Sequence, residues 1–391
     1  MRKRALVLLV ATMTLTGCAS SVDGNSTPKS EPPQSQVVVQ MTSAPPPTDA
    51  AQTVLDNMTT AQKVGQLLMV PLNLSDDVSV LDSVLGDGMA TGILLLGNGW
   101  SKSHVSQVTQ YARMHAIGQP TAFYIAVDQE GGQVQRLSGS GFSKIPSAVT
   151  QGTWTPQKLT DQATTWAQEL KAAGVNLNLA PVADTVPSAM TRQNQPIGAL
   201  QREFGSTPAT VGQHAVAFIK GMTAGGIQSC VKHFPGLGRV SGNTDFTDVG
   251  VEDTTTTTTD AYLSAFKKSM SAKPAMVMIS LATYGKIDAK NPAVFSSKVI
   301  TSLLRGKLGW QGVVISDAME GEAIKSVPVA QRGVNFIKAG GDIAIFSSLS
   351  DLQKAAAGIE KLMNSNSAFA AKVDAAVLRV LRAKAEAGLL H

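Results

Sequence analysis

The chain has 391 residues, of which 43% are hydrophobic and 16% charged, with 33 Lys and Arg against 28 Asp and Glu and a formal net charge of +5. So much apolar residue in a chain of this length excludes a disordered or fibrous protein and allows one large α/β domain or two smaller ones. The positive excess is small and gives no reason to expect a nucleic-acid partner.

The chain opens MRKRALVLLVATMTLTGC: a basic start (Arg2, Lys3, Arg4), an apolar run too short to span a bilayer permanently, and Cys18. This reads as a secretory signal over residues 1–17, and its LTGC ending resembles the lipobox of bacterial lipoproteins. On that resemblance Cys18 is lipidated and the protein is anchored to the cell membrane on its extracytoplasmic face. Without residues 1–17, 30 basic residues face 28 acidic ones, a net charge of +2. Cys230 is the only other cysteine, so no intrachain disulfide is expected. Residues 18–50 are rich in Ser, Thr, Pro and Gln and read as a disordered tether, with QVVVQM as a possible short strand. One continuous globular domain is expected over residues 51–391.

In that domain eight apolar runs follow one another: LLMVPL (67–72), GILLLG (92–97), AFYIAVD (122–128), VNLNLAP (175–181), IQSCVKHF (227–234), AMVMISLA (275–282), GVVISD (312–317) and DIAIFSS (342–348). Such near-continuous runs suit parallel strands buried on both faces. Helical segments separate them, among them TTAQKVGQL with Thr59 and Gln62 at capping-box spacing. The alternation predicts an α/β fold, a single (β/α)8 barrel of the TIM type, with a doubly wound open sheet as the competing arrangement. Asp128, Asp184, Lys232, His233 and Asp317 all fall at or just past a predicted strand's C-terminal end, where barrel enzymes carry their sites, and this favours the barrel.

Each of these residues also has a bland role. Asp128 suits a turn before Gly131 and Gly132, and a single histidine at a strand end is more often packed than catalytic. Lys232 and His233 are adjacent, so both reach a site only where the strand has ended. Asp317 is the strongest candidate, because an aspartate buried after an apolar run is costly without partners. Arg202, in ALQREFG, carries little signal by itself.

Taken together, MTTAQKVGQLLMV, AVDQEGGQVQR, NLNLAPVADT, KHFPGLG and GVVISDAMEG resemble, in order and spacing, family 3 glycoside hydrolases, especially single-domain β-N-acetylglucosaminidases of the NagZ type. The likeness runs from about Leu55 to the C-terminus. It implies a retaining exo-glycosidase that removes terminal GlcNAc from cell-wall glycan or muropeptides through a covalent intermediate, with no cofactor, metal or protein partner. It makes Asp317 the nucleophile and gives Asp128, Arg136, Arg202, Lys232 and His233 to the terminal sugar. Pro235 and the following glycines are expected to begin a mobile loop over it. Another β-glycosidase or a glycoside phosphorylase of the family, or a sugar-binding lipoprotein without activity, remain alternatives. One departure stands out. Where the family has an Asp-x-His dyad, with histidine as acid/base, this chain has Asn243 and Asp245. Asp245 is therefore expected to act as the acid/base, oriented by Asn243, with Asp248 as the rival.

Overall fold

The computed structural model describes residues 49–85, 90–117 and 119–391. The signal peptide, Cys18, QVVVQM and all but the last two residues of the expected tether lie outside the described residues. Asp49 caps the first helix, Ala50–Asn57, and its carboxylate takes the Arg382 guanidinium of the last helix at 2.6 Å.

Eight parallel strands form a closed barrel. They are β1 (Leu68–Asn73), β2 (Gly92–Leu96), β3 (Tyr124–Val127), β4 (Leu177–Asn178), β5 (Gln228–Phe234), β6 (Met276–Ile279), β7 (Val313–Ala318) and β8 (Ile343–Ile345). Each falls on one of the eight apolar runs. Neighbours in sequence are neighbours in the barrel, and β8 closes on β1 with Ala344 opposite Leu68. The open-sheet arrangement is thereby excluded. The strands are buried almost throughout, which is why they read as unbroken apolar runs rather than alternating ones.

The helices start where the sequence signals them. Thr59 and Gln62 form both hydrogen bonds of a capping box, and Thr155 and Thr207 cap helices whose first residue is Pro156 or Pro208. The helices Pro156–Ala172 and Pro208–Ala224 pack side by side outside β4 and β5. With helices packed on the outside, the rim at the strands' C-terminal ends is where a barrel of this kind carries its functional side chains. The chemistry gathers there.

Candidate active site

A cleft of about 430 Å³ opens at that rim, within the size range of small-molecule sites. All of the predicted site residues except Cys18 line it: Asp128, Arg136, Arg202, Lys232, His233, Asp245 and Asp317. A larger groove of about 740 Å³ lies elsewhere, along the helix starting at Pro208, but none of its lining residues is acidic.

The floor is a buried charge network. Lys232 Nζ lies 2.6 Å from Asp128 Oδ1 and 2.6 Å from Glu130 Oε1. Glu130 also accepts two hydrogen bonds from Arg202, from Nη2 at 2.7 Å and from Nε at 2.8 Å. Burial would raise the Glu130 carboxyl, but the Arg202 and Lys232 charges outweigh it and hold the group well below the usual carboxylate range. Burial would likewise lower the Lys232 ammonium, and Asp128 and Glu130 overcome that and raise it. Both cations therefore stay charged on the cleft's mostly buried floor, available to hydroxyl groups. Glu130 arrives on a tight hairpin, Gln129–Gly131 against Val134–Gln135. The hairpin needs glycine at 131, where φ is +105° and a Cβ would lie 2.3 Å from Pro146 O. Arg136, at the hairpin's end, donates from Nη1 to Asn98 Oδ1 at 3.0 Å.

Lys232 and His233 both reach the site, though not as the alternation rule requires. The strand runs on through both residues to Phe234, and its register against β6 shifts between Val231 and Phe234. That irregularity lets neighbouring side chains line one cleft. The Lys232–His233 peptide is cis. His233 Nδ1 lies 2.7 Å from Asp184 Oδ2, and Nε2 lies 3.4 Å from Arg202 Nη2. A proton on Nδ1, donated to the carboxylate, leaves Nε2 as an acceptor for Arg202. Asp184 is wholly buried and also accepts from Leu237 N at 2.7 Å.

The glycine-rich stretch after His233 is not the loop expected from its composition. From Phe234 to Val240 it is mostly buried, and Asn194 Nδ2 donates to both Leu237 O and Val240 O at 2.7 Å. At Gly238 a Cβ would lie 1.8 Å from Thr185 O, so glycine there permits close packing rather than movement. The exposed loop begins at Ser241.

Asp317 belongs to β7, and its Oδ1 accepts from Ala318 N at 2.9 Å. Asp245 comes from the loop after β5. Its residue is exposed as a whole, yet protein crowds the carboxyl enough that desolvation, followed by the Asp317 charge, raises its pKa to about 6. Water at the outer edge of the loop works against that rise. Asn243 does not orient the carboxyl: its Oδ1 accepts from Asp245 N at 3.1 Å and so shapes the turn. Asp248 is absent from the cleft lining and faces Lys325 at 3.5 Å, so the rival candidate falls away.

Three further carboxylates belong to the site. Asp184 stands at a strand's C-terminal end, and Glu130 carries no sequence signal beyond its proximity to Asp128. Glu320 lines the cleft next to the strand that carries Asp317. Its Oε1 accepts from Ser347 N at 2.7 Å and Ser348 N at 3.1 Å, while Oε2 is buried without a hydrogen-bond partner.

A parallel barrel with carboxylates, buried cations and a small cleft at its C-terminal rim has the layout of a TIM-barrel enzyme's site. Residues 59–383 match the model of the glycosyl hydrolase family 3 N-terminal domain, and the chain belongs to that family. It superposes with a TM-score of 0.78 on the β-N-acetylhexosaminidase of Beutenbergia cavernae, at 41% identity over 84% of this chain and 99% of that one. It is 33% identical over 255 residues to a β-hexosaminidase of Xylella fastidiosa, covering 63% of this chain and 72% of the relative. It is also 35% identical over 230 residues to a secreted glycosyl hydrolase of Arthroderma benhamiae, covering 57% of this chain and 63% of that protein.

Proposed function

We propose that the protein is a retaining exo-β-N-acetylglucosaminidase that removes terminal GlcNAc from cell-wall glycan or its muropeptide fragments, held at the membrane by a lipid on Cys18. The observation that carries the reading is the pair Asp317 and Asp245, two carboxyl groups that line one cleft above a floor of buried cations, with desolvation and the Asp317 charge raising the Asp245 pKa. The β-hexosaminidase relatives support GlcNAc as the sugar. A floor closed by Lys232, Glu130 and Arg202 supports attack at a chain end.

In the first step Asp317 attacks the anomeric carbon while Asp245 gives its proton to the departing oxygen. In the second, Asp245 takes a proton from water, which displaces Asp317 and releases the sugar with its configuration retained. Asp128, Lys232, Arg202 and His233 hold the hydroxyl groups. The reaction needs no group beyond these side chains and water.

The test pairs two substrates, an aryl β-GlcNAc glycoside and a β-linked GlcNAc disaccharide. Asp317→Ala should lose turnover on both by several orders of magnitude, and a 2-deoxy-2-fluoro donor should label Asp317. Asp245→Ala should lose far more on the disaccharide than on the aryl glycoside and regain deglycosylation with azide. Equal losses on the two substrates, or the selective loss in Asp248→Ala instead, would reject the assignment.

A further inference from the structure

Among the described residues, the large apolar side chains that stand in water include Phe246, 81% exposed, and Val249, 75% exposed, on the loop that carries Asp245. Phe246 alone of the two lines the cleft. A phenyl ring left in water beside a polar cleft gains by being covered, and an aromatic face at such a place is a surface for a ligand. The polar grips of the site, Lys232, Asp128 and Arg202, are all on the buried floor. Phe246 stands instead at the solvent side, next in sequence to the carboxyl proposed to protonate the leaving oxygen.

Its backbone is held there. Phe246 N donates to Asn243 O at 3.0 Å, and Asp245 N to Asn243 Oδ1 at 3.1 Å. The loop is then latched to the segment after β7, where Ala323 N donates to Thr244 O at 3.1 Å and Glu322 N to Asp245 O at 3.3 Å. The backbone that carries the ring is therefore held against the segment that follows the strand of Asp317.

We propose that Phe246 is the platform of a leaving-group subsite, on which the pyranose joined through the scissile oxygen lays its apolar C–H face. The inference rests on the glycosidase reading and deepens it. A group leaving from the anomeric carbon must lie beside the acid and away from the floor, and the residue at that position is Phe246. A pyranose ring offers a flat C–H face to an aromatic one, and its hydroxyls remain in water at the rim. Stacking there would also cover Asp245, which is otherwise exposed, and keep water from its carboxyl while the substrate is bound. Recognition of the leaving sugar and protonation of its oxygen are thus joined in adjacent residues of one latched loop.

The experiment compares kcat/KM on a β-linked GlcNAc disaccharide with kcat/KM on β-GlcNAc fluoride, whose leaving group has no ring. Phe246→Ala should lower the disaccharide-to-fluoride ratio on the order of ten-fold, and Phe246→Trp should restore it to within about three-fold. Val249→Ala, which removes exposed apolar surface outside the cleft, should keep the wild-type ratio. Since Phe246 is exposed, its variants should melt with the parent. An unchanged ratio in Phe246→Ala, or an equal fall in Val249→Ala, refutes the platform. A fall seen with an aryl glycoside but not with the disaccharide assigns the ring to aromatic leaving groups and refutes the sugar. Calorimetry of disaccharide binding to Asp317→Ala, alone and combined with Phe246→Ala, reads the platform without turnover. If the wild type cleaves neither substrate, the glycosidase reading fails while this titration still decides the platform: about ten-fold weaker binding supports it, and equal binding overturns it.

Discussion

Glu130→Gln isolates the charge that the floor of the site depends on. The substitution keeps the side chain's shape and removes its charge, leaving Lys232 and Arg202 with Asp128 as the only anion in direct contact with Lys232. The Glu130 side chain is 5% exposed and meets Lys232 at 2.6 Å and Arg202 at 2.7 Å. Breaking a buried pair of this kind costs about 3–5 kcal/mol, because a charge is left without a partner. Glutamine keeps one acceptor oxygen, which puts the expectation near 3 kcal/mol. At roughly 2 °C per kcal/mol for a protein of this size, the melting temperature at pH 7 should fall by about 6 °C or more. The pH dependence gives a second check. The folded carboxyl lies below its ordinary value of 4.5, so its contribution is complete above that pH and declines as pH falls below it. The gap between wild type and variant, measured by thermal melts, should therefore narrow below about pH 4.5. Removing Arg202 as well, in Glu130→Gln with Arg202→Met, should cost less than the two single losses added together. A fall under about 2 °C at pH 7, with no narrowing in acid, would show that the network does not carry this charge.

Lys384 is wholly buried beside Thr121 and Tyr124, and desolvation lowers its pKa from 10.5 to about 7. The unfolded chain thus holds more protons between pH 7 and 10.5, wild-type stability rises with pH in that window, and Lys384→Met should stabilise more at pH 6 than at pH 10, by on the order of 4 kcal/mol in thermal melts; a pH-independent difference would contradict this. With Asp245 as the acid, kcat/KM on the disaccharide should decline as pH rises through about 6, and kcat/KM on β-GlcNAc fluoride should lack that decline. After Asp317 is trapped with a fluorinated sugar, Asp245 should titrate lower than in the free enzyme, which carbon NMR of labelled aspartate would read. Cys18→Ala should move the protein out of the membrane fraction, and retention there would disprove the lipid anchor.

The barrel was legible because a strand buried on both faces has almost no choice of residue, so its apolar run survives in the sequence whatever surrounds it. The same rule exposes the site: Asp128, Lys232, His233 and Asp317 interrupt such runs at the end where the barrel opens. What could not be read depends on contacts between distant segments. Arg202 follows no periodic pattern, and its role comes from meeting Glu130, 72 positions away. Glu130 in turn needs a hairpin whose shape is visible only once Pro146 is seen against Gly131. Glycines gave the wrong signal after His233, since composition does not distinguish a glycine that moves from one that lets two backbones touch. Asn243 could be placed near Asp245 by spacing, but not the backbone amide that it actually binds.

The replacement of histidine by Asp245 alters the electrostatics of the proposed cycle. Desolvation, then the Asp317 charge and after it the Asp128 charge raise the Asp245 pKa, while the Arg202 charge opposes the rise. In the free enzyme the raising causes prevail and the group is an acid up to about pH 6. When Asp317 becomes an ester in the glycosyl-enzyme, its negative charge is gone and the larger of the two charge effects that raise the pKa goes with it. The Arg202 charge remains, so the Asp245 pKa falls at the step where a base is required to take a proton from water. Hydrolysis of the ester restores the Asp317 charge and with it the acid. A histidine would respond in the same direction, but its acidic form is a cation that Asp317 stabilises by attraction. In the aspartate the protonated form is neutral, held by repulsion and desolvation, and it is therefore more sensitive to water at the mouth of the cleft. A group that covers Asp245 from that side, as a sugar on Phe246 would, acts on the largest of the raising causes.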